Sequence, residues 1–425
     1  MPSAPHPRPH SPSAPRPRAH SRRTFLTLAA GALTAAAATA APATAANRRT
    51  TASATGGTLF LIGGALADTN TQVYGRIVAA AGGSGARFGV LTTGSHPDDA
   101  AANGAFYADL LKRHGAGSAE WLPIDAGRPG AAEDAALAAK ASGMTGFFLG
   151  GGDQYRYATV LKRSDGGDTA VLAAVRARLA AGGVVAGTSA GAQIQAGADM
   201  ITGGESYEAL RDGSSPGWFE DATRLGYLAG GGFGFFSHGL VDTHFAARGR
   251  QGRSLRLASD TGHSRFFGID ENTALEVAGV GTGQESLTVL GERAVFVFDL
   301  RTAAPRTDNG EWGISAVKYG QLTAGDRYNP YTWGITPASG RAPLVPRDRY
   351  ARRATDDVFA SYVFTDNAGD LALSGRSTRM TDYTYETGPE FAVELRKPSA
   401  GYAAWTADGR RPSTLQGMLV DVYAP

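Results

Sequence analysis

The chain has 425 residues, 42% of them hydrophobic, no cysteine and a formal charge of only +2. That length supports one large domain or two ordinary ones around a substantial core, and the missing thiols exclude disulfides and thiolate metal sites, leaving stability to packing. The balance also lacks the basic excess of a general nucleic-acid binder: Arg8, Arg16, Arg18, Arg22 and Arg23 supply the small surplus, and without residues 1–46 acidic side chains outnumber basic ones.

Residues 1–20 are Pro, His, Ser, Ala and Arg in irregular order, too poor in large apolar residues to fold. Ser21-Arg22-Arg23-Thr24-Phe25-Leu26 then leads into the apolar run Thr27 to Ala41, and Ala43-Thr44-Ala45 offers small residues for a signal peptidase. This pattern predicts a twin-arginine export signal over residues 1–46, a secreted mature chain and no stable membrane insertion once the signal is removed. The apolar stretch is short, alanine-rich and followed by polar residues, which argues against a membrane span.

From Gly56 short β-rich runs alternate with helical segments. Strands are expected at Thr58 to Ile62, Phe88 to Thr92, Trp121 to Ile124 and Gly146 to Leu149, and helices at Thr71 to Ala81, Asp98 to His114, Ala131 to Ala141, Tyr155 to Lys162 and Thr169 to Ala181. Such alternation implies an α/β fold whose sheet is largely parallel and covered on both faces, with its site at the carboxyl ends of the strands. His96-Pro97-Asp98-Asp99 reads as a helix N-cap, since no second histidine stands at metal-ligand spacing. Gly150-Gly151-Gly152 follows the fourth strand, so its backbone N–H groups are suited to an oxyanion site and Gln154 to substrate. No Gly-Lys-Ser/Thr follows to make it a phosphate loop.

Val184-Val185-Ala186 runs into Gly187-Thr188-Ser189-Ala190-Gly191. A strand that ends in Gly-x-Ser-x-Gly and turns into a helix holds its serine exposed on a tight turn, and the following N–H groups and helix dipole suit a developing oxyanion. Gly152 and Ala190 are the expected N–H donors. The plainer alternative is a tight strand-to-helix connection in a glycine-rich chain.

A serine nucleophile needs a base and a group that orients the base. Of the histidines beyond the signal, His114 and His263 read as surface residues and His238 as part of a turn. His244 ends the run Leu240-Val241-Asp242-Thr243 and is the best base by placement. Glu271, in Gly268-Ile269-Asp270-Glu271-Asn272-Thr273, is suited to hold its imidazole, with Glu205 and Asp242 as weaker choices. Arg250 and Arg253, three apart after His244, are expected to share a helix face and to grip a carboxylate; a solvated charge run is the alternative. Further on, Arg253 to Ser259 reads as a helix, Phe266 to Ile269 and Thr273 to Val277 as strands, and Leu287 to Leu290 with Ala294 to Phe298 as a hairpin turning at Gly291-Glu292. After about Arg341 strand signals scatter.

Four stretches, in order, resemble the cyanophycinase branch of the S51 serine peptidases, relatives of aspartyl dipeptidase: Phe147 to Gln154, Gly187 to Ala192, Asp242-Thr243-His244-Phe245 with Arg248, Arg250 and Arg253, and Gly268 to Ala274. The resemblance implies a three-layer sandwich similar to class I glutamine amidotransferases over residues 56–338, with residues 339–425 a C-terminal extension it leaves unexplained. It implies a Ser189–His244–Glu271 triad, a substrate site formed by Gln154, Asp242, Arg248, Arg250 and Arg253, no cofactor and no metal, and a homodimer. The activity it implies is exopeptidase cleavage of cyanophycin, an arginine-bearing poly-aspartate, to β-Asp-Arg through an acyl-enzyme. Thr243 stands where the family often has Gln. An aspartyl or isoaspartyl dipeptidase of the same family, or a non-catalytic extracellular polymer-binding protein, are the alternatives. An α/β-hydrolase would run Ser, Asp/Glu, His, whereas here the order is Ser189, His244, Glu271.

Overall fold

A computed structural model describes residues 56–197 and 199–425; the export signal expected at residues 1–46 lies outside them. Strand β1 (Gly57–Ile62) opens the fold and is followed by α1 (Thr71–Ala80), β2 (Arg87–Leu91), α2 (Pro97–Arg113), β3 (Ser118–Trp121), α3 (Ala135–Ser142), β4 (Gly146–Leu149), α4 (Gln154–Leu161), α5 (Ala170–Ala180), β5 (Val184–Thr188) and α6 (Ala190–Gln193). Local chemistry sets the helix starts. Asn70 accepts from Val73 N–H at 3.1 Å, Asp134 caps α3, Asp153 caps α4, and α2 begins at His96 with Pro97 in the first turn and Asp98 and Asp99 beside the positive dipole end.

The first sheet has nine strands. Its parallel half runs β1-β5-β4-β2-β3, the block expected from the β-α alternation. Alternate residues of β1 explain why both faces are covered: Phe60 and Ile62 pack with Val73 and Ile77 of α1 and Leu111 of α2, whereas Leu59 and Leu61 pack with Val171, Leu172 and Val175 of α5. Antiparallel strands extend the sheet beyond β1, beginning with Thr273–Val280 and Ser286–Gly291. β3 ends at Trp121 rather than beginning there, because Pro123 has no N–H to continue the ladder.

A second sheet of ten strands is mostly antiparallel; the strands Leu240–Thr243 and Arg265–Ile269 at one edge are its parallel pair. It packs Val241, Phe267, Ile269, Val295 and Val297 into the same core as Leu59 and Leu61, and turns Leu240, Phe266, Phe296 and Phe298 toward a second core.

The expected hairpin at Gly291-Glu292 is not formed. Ser286–Gly291 pairs with Thr273–Val280 in the first sheet, and Ala294–Asp299 pairs with Arg265–Ile269 and Glu311–Thr323 in the second. The chain changes sheets at Gly291, whose φ of 100° and whose close approach to the Asn272 carbonyl, 2.4 Å from where a Cβ would lie, require glycine. Two alternating runs with a glycine between them have the same pattern whether they pair or part.

The C-terminal segment is woven into the second sheet. Strand Thr414–Tyr423 pairs with Glu311–Thr323, Ala392–Arg396 and Ala403–Thr406 and buries Leu415, Met418, Val420 and Val422 completely. Each such side chain contributes about 1.5–3 kcal/mol, so four rival the ~5–15 kcal/mol that typically holds a domain together. A chain ending at Gly340 is therefore expected to lose its cooperative thermal transition by circular dichroism. A transition within a few degrees of the full chain's would show that the segment is a dispensable appendage.

Candidate active site

β1 ends in Gly63 and Gly64, and the carbonyls of Ile62, Gly63 and Gly64 accept from the backbone N–H groups of Ser189 (2.9 Å), His244 (2.7 Å) and Asn272 (2.9 Å). One strand end thus collects the turn after β5, the turn after Leu240–Thr243 and the loop after Arg265–Ile269. All three acceptor-held residues have left-handed φ: Ser189 at 54°, His244 at 50° and Asn272 at 53°. Non-glycine residues pay about 1–3 kcal/mol for such conformations, and they persist where the surroundings over-determine them.

The glycines of Gly-x-Ser-x-Gly serve this turn directly. A Cβ on Gly187 would lie 2.0 Å from the Gly191 carbonyl oxygen, and one on Gly191 would lie 2.1 Å from that of Leu149. Gly64 has a similar part that the sequence did not reveal: a Cβ there would lie 2.2 Å from the His244 ring.

These constraints bring His244 Nε2 to 2.9 Å from Ser189 Oγ and His244 Nδ1 to 2.7 Å from Glu271 Oε1. The neutral ring that fits this network donates Nδ1–H to Glu271 and accepts the Ser189 hydroxyl proton. Burial, the largest influence, pushes the imidazole below its usual pKa; the Glu271 hydrogen bond opposes this, and the charges of Arg248 and Arg250 add to it. The ring is therefore an unprotonated acceptor at neutral pH. Among the described residues Glu271 is the carboxylate that reaches it. Glu205 stands instead at the start of the helix Ser206–Asp212, and Asp242 is engaged elsewhere.

Gly152 and Ala190 lie beside Ser189 in a cavity of about 210 Å³, also lined by Gln154, Gln193, Thr243, His244 and Trp218. Neither the Gly152 nor the Ala190 N–H donates to an acceptor among the described residues. A Cβ on Gly152 would lie 2.0 Å from the Gly94 carbonyl oxygen, so glycine lets this strand-end loop close. The helix after Ser189 is a single turn, Ala190–Gln193, so stabilisation of an oxyanion here falls to the two N–H groups rather than to a long helix's dipole.

The arginines differ from expectation. Arg253 and Arg250 do not act as a free pair: Arg253 Nε and Nη2 donate to the two oxygens of Asp242 at 2.8 and 2.6 Å, and Nη1 donates to the Gly204 carbonyl. With its whole fork engaged and 4% of its side chain exposed, Arg253 cannot also grip a substrate carboxylate. Arg250 stands just ahead of the helix Gln251–Thr261 and Arg253 in its first turn, and both guanidinium groups turn toward buried Asp242 rather than solvent. Asp242 is equally committed, accepting also from Ser254 Oγ. Burial would raise its carboxyl, yet Arg253 and Arg250 more than offset that and hold it below its usual range. Arg250 donates through Nη1 to the Thr243 carbonyl and leaves Nε buried without a partner. Its cation is destabilised by burial first and by Arg253 next. Arg248 lines the cavity exposed, with no carboxylate partner among the described residues. Gln154 spends its amide N–H on the Ile201 carbonyl at 2.8 Å.

Trp218 and Gln193 were not anticipated. Trp218 stacks on Tyr155 with ring centroids 5.5 Å apart and stays 41% exposed at the cavity. A large aromatic within the turn-rich Ser214-Ser215-Pro216-Gly217-Trp218 was the available signal. Gln193 carries a buried Oε1 without a partner. A polarised serine, two free N–H donors and an under-neutralised arginine wall together suit nucleophilic attack on an acyl carbon of a carboxylate-bearing substrate.

No family model matches the chain. It is 30% identical over 302 residues to a cyanophycinase of Trichormus variabilis, which covers 68% of this chain and 91% of the relative. It is 32% identical over 284 residues to a cyanophycinase of Thermosynechococcus vestitus, covering 64% and 79%. Among solved structures, a peptidase from an acI-B1 Actinobacterium aligns at 20% identity with a TM-score of 0.43, over 65% of this chain and 98% of that one.

The electrostatics predict a pH profile. The rate at which a fluorophosphonate labels Ser189 should fall with an acid limb below the ordinary imidazole range near 6.5, since only the neutral ring accepts the proton. Arg248→Gln removes a neighbouring positive charge and should move that limb upward, by roughly half a pH unit. An unmoved limb, or one above the ordinary range in the parent, would contradict the assignment of His244.

Proposed function

The chain belongs to the cyanophycinase family and is a peptidase, and on that premise we propose that it hydrolyses cyanophycin, or a closely related arginine-bearing β-aspartyl polymer, through an acyl-enzyme on Ser189. The observation that carries this reading is the continuous Ser189–His244–Glu271 hydrogen-bond relay opening onto an arginine-walled cavity.

In the proposed reaction Ser189 Oγ attacks the scissile carbonyl while His244 Nε2 takes its proton. Glu271, accepting from Nδ1–H, stabilises the resulting imidazolium. The carbonyl oxygen, now anionic, turns toward the N–H groups of Gly152 and Ala190. Collapse of the tetrahedral adduct breaks the C–N bond, and His244 returns the proton to the leaving amine. A water molecule, deprotonated by the same ring, then attacks the ester, releasing the carboxylic acid and restoring Ser189. A cavity of about 210 Å³ suits a short terminal unit rather than a folded chain, which supports exopeptidase release of β-Asp-Arg. Arg248 and the incompletely neutralised cation of Arg250 supply the attraction for its carboxylate.

Ser189→Ala and His244→Ala should each lower turnover of cyanophycin by about three orders of magnitude or more with an unchanged melting temperature, as loss of a cooperating nucleophile or base does. Glu271→Gln should be severely impaired. Mass spectrometry of the products should find β-Asp-Arg with the parent alone, and near-parental turnover in any folded variant would remove that residue from the mechanism.

The reading includes export. Arg22-Arg23 ahead of Thr24-Phe25-Leu26, the apolar Thr27 to Ala41 and the Ala43-Thr44-Ala45 stretch support a twin-arginine signal and a secreted mature protein beginning near Ala45 or Ala46. Replacing Arg22 and Arg23 together by Lys should trap precursor inside the cell, as judged by immunoblot of cell and medium fractions. Undiminished secretion of that variant would exclude this route.

A further inference from the structure

A cavity larger than the one that holds Ser189 lies elsewhere on the described chain. It measures about 1080 Å³ and is walled by Asp270, the residue before Glu271, by Glu292 and Arg293 where the chain changes sheets, and by the C-terminal segment. Five guanidinium groups on its wall, those of Arg293, Arg347, Arg352, Arg410 and Arg411, have no carboxylate partner among the described residues. Arg349, by contrast, is taken up by a bidentate pair with Asp370.

The wall is not uniformly positive. Glu292 and Asp366 also line it without an ion pair among the described residues, while burial pushes the Asp270 carboxyl up to about 6. A simple polyanion would meet Glu292 and Asp366 as repelling charges. A chain whose every repeat carries both a free carboxylate and a guanidinium would find partners for both signs.

The wall is tied to the catalytic loops. Glu292 N–H donates to the Asn272 carbonyl at 3.1 Å, Arg293 N–H to Thr273 Oγ1 at 2.9 Å, Tyr362 N–H to the Ala246 carbonyl at 2.8 Å and Ala247 N–H to Asp270 Oδ1 at 3.2 Å. The segment that carries Glu271 therefore forms part of this second cavity through Asp270, and the segment that carries His244 is hydrogen-bonded to its wall.

We propose that this arginine-rich cavity is an accessory binding site that holds a further stretch of the zwitterionic arginyl-aspartate polymer while its end is cleaved at Ser189. The proposal rests on the substrate reading given above. Binding at two places on one molecule raises the effective concentration of chain ends at the nucleophile, an advantage for a polymer and none for a substrate too short to span both.

The test uses the full chain carrying Arg352→Gln, Arg410→Gln and Arg411→Gln together, three exposed residues that take no part in the relay. KM for particulate cyanophycin should rise about tenfold, the loss expected for one or two charge-assisted contacts, while kcat and the kcat/KM for a soluble two-repeat β-Asp-Arg peptide stay at the parental value. The Ser189→Ala form of the same variant should sediment poorly with polymer granules. A charge-retaining Arg→Lys triple variant should recover most of the affinity, which separates lost charge from a damaged fold. Parental KM on the polymer in the triple glutamine variant would overturn the accessory site while leaving the activity intact. Displacement of the Ser189→Ala form from granules by polyglutamate as effective as that by soluble arginyl-aspartate fragments would also overturn it, by showing a polyanion site. A parent that cleaves neither polymer nor peptide would overturn the substrate reading, and this proposal with it.

Discussion

The site depends on three consecutive carbonyls at the end of β1. Those of Ile62, Gly63 and Gly64 hold the backbone N–H groups of Ser189, His244 and Asn272, and so join parts that two different sheets deliver. Ser189 follows a strand of the first sheet, whereas His244 and Glu271 follow strands of the second. Side-chain hydrogen bonds of 2.9 and 2.7 Å between them need positions good to a few tenths of an ångström. Backbone bonds to one short rigid segment supply that registration, and Gly64 leaves room for the imidazole directly above it. The Asn272 side chain continues the framework, accepting from Ala67 N–H and Asn70 Nδ2.

A second constraint is the sharing of one carboxylate between two cations. Asp242 is buried and bidentate to Arg253, with Arg250 3.5 Å away. Arg253 satisfies the acid, so Arg250 is left a buried cation with less than one neutralising charge, pointed into the cavity wall beside exposed Arg248. The same positive field adds to burial, the larger influence, in lowering the pKa of His244. In the proposed reading, attraction of an anionic group and the protonation state of the His244 ring are thus one electrostatic arrangement seen from two sides.

Much of this was legible in the sequence, and the gaps have physical reasons. Gly187-Thr188-Ser189-Ala190-Gly191 announces its turn because the geometry tolerates so few residues, and the strand-end positions of His244 and Glu271 could be read from apolar runs that stop abruptly. Periodicity failed where it carries no information about partners: Ser286–Gly291 and Ala294–Asp299 alternate like a hairpin but belong to different sheets. It also failed for Arg253, since a spacing of three fixes a shared helix face without saying whether that face meets solvent or Asp242. Gly64 and Trp218 act through space, on residues more than sixty positions away in each case, and only Trp218 left a compositional trace. The C-terminal strands escaped because their ladder partners lie as far back as Glu311–Thr323.

That last feature has a temporal side. Strand Thr414–Tyr423, synthesised after every strand it pairs with, lies in the interior of the second sheet, with Glu311–Thr323 on one flank and Ala392–Arg396 and Ala403–Thr406 on the other. Long-range pairings of this kind form late, after loop closure over many residues. The first sheet, by contrast, has its whole parallel half in hand once β5 is made. On the ribosome the turn that carries Ser189 is therefore complete well before the sheet that positions His244 and Glu271 can close. The assembled relay then waits on Thr414–Tyr423, so a growing chain that has not yet reached that strand is a silent one.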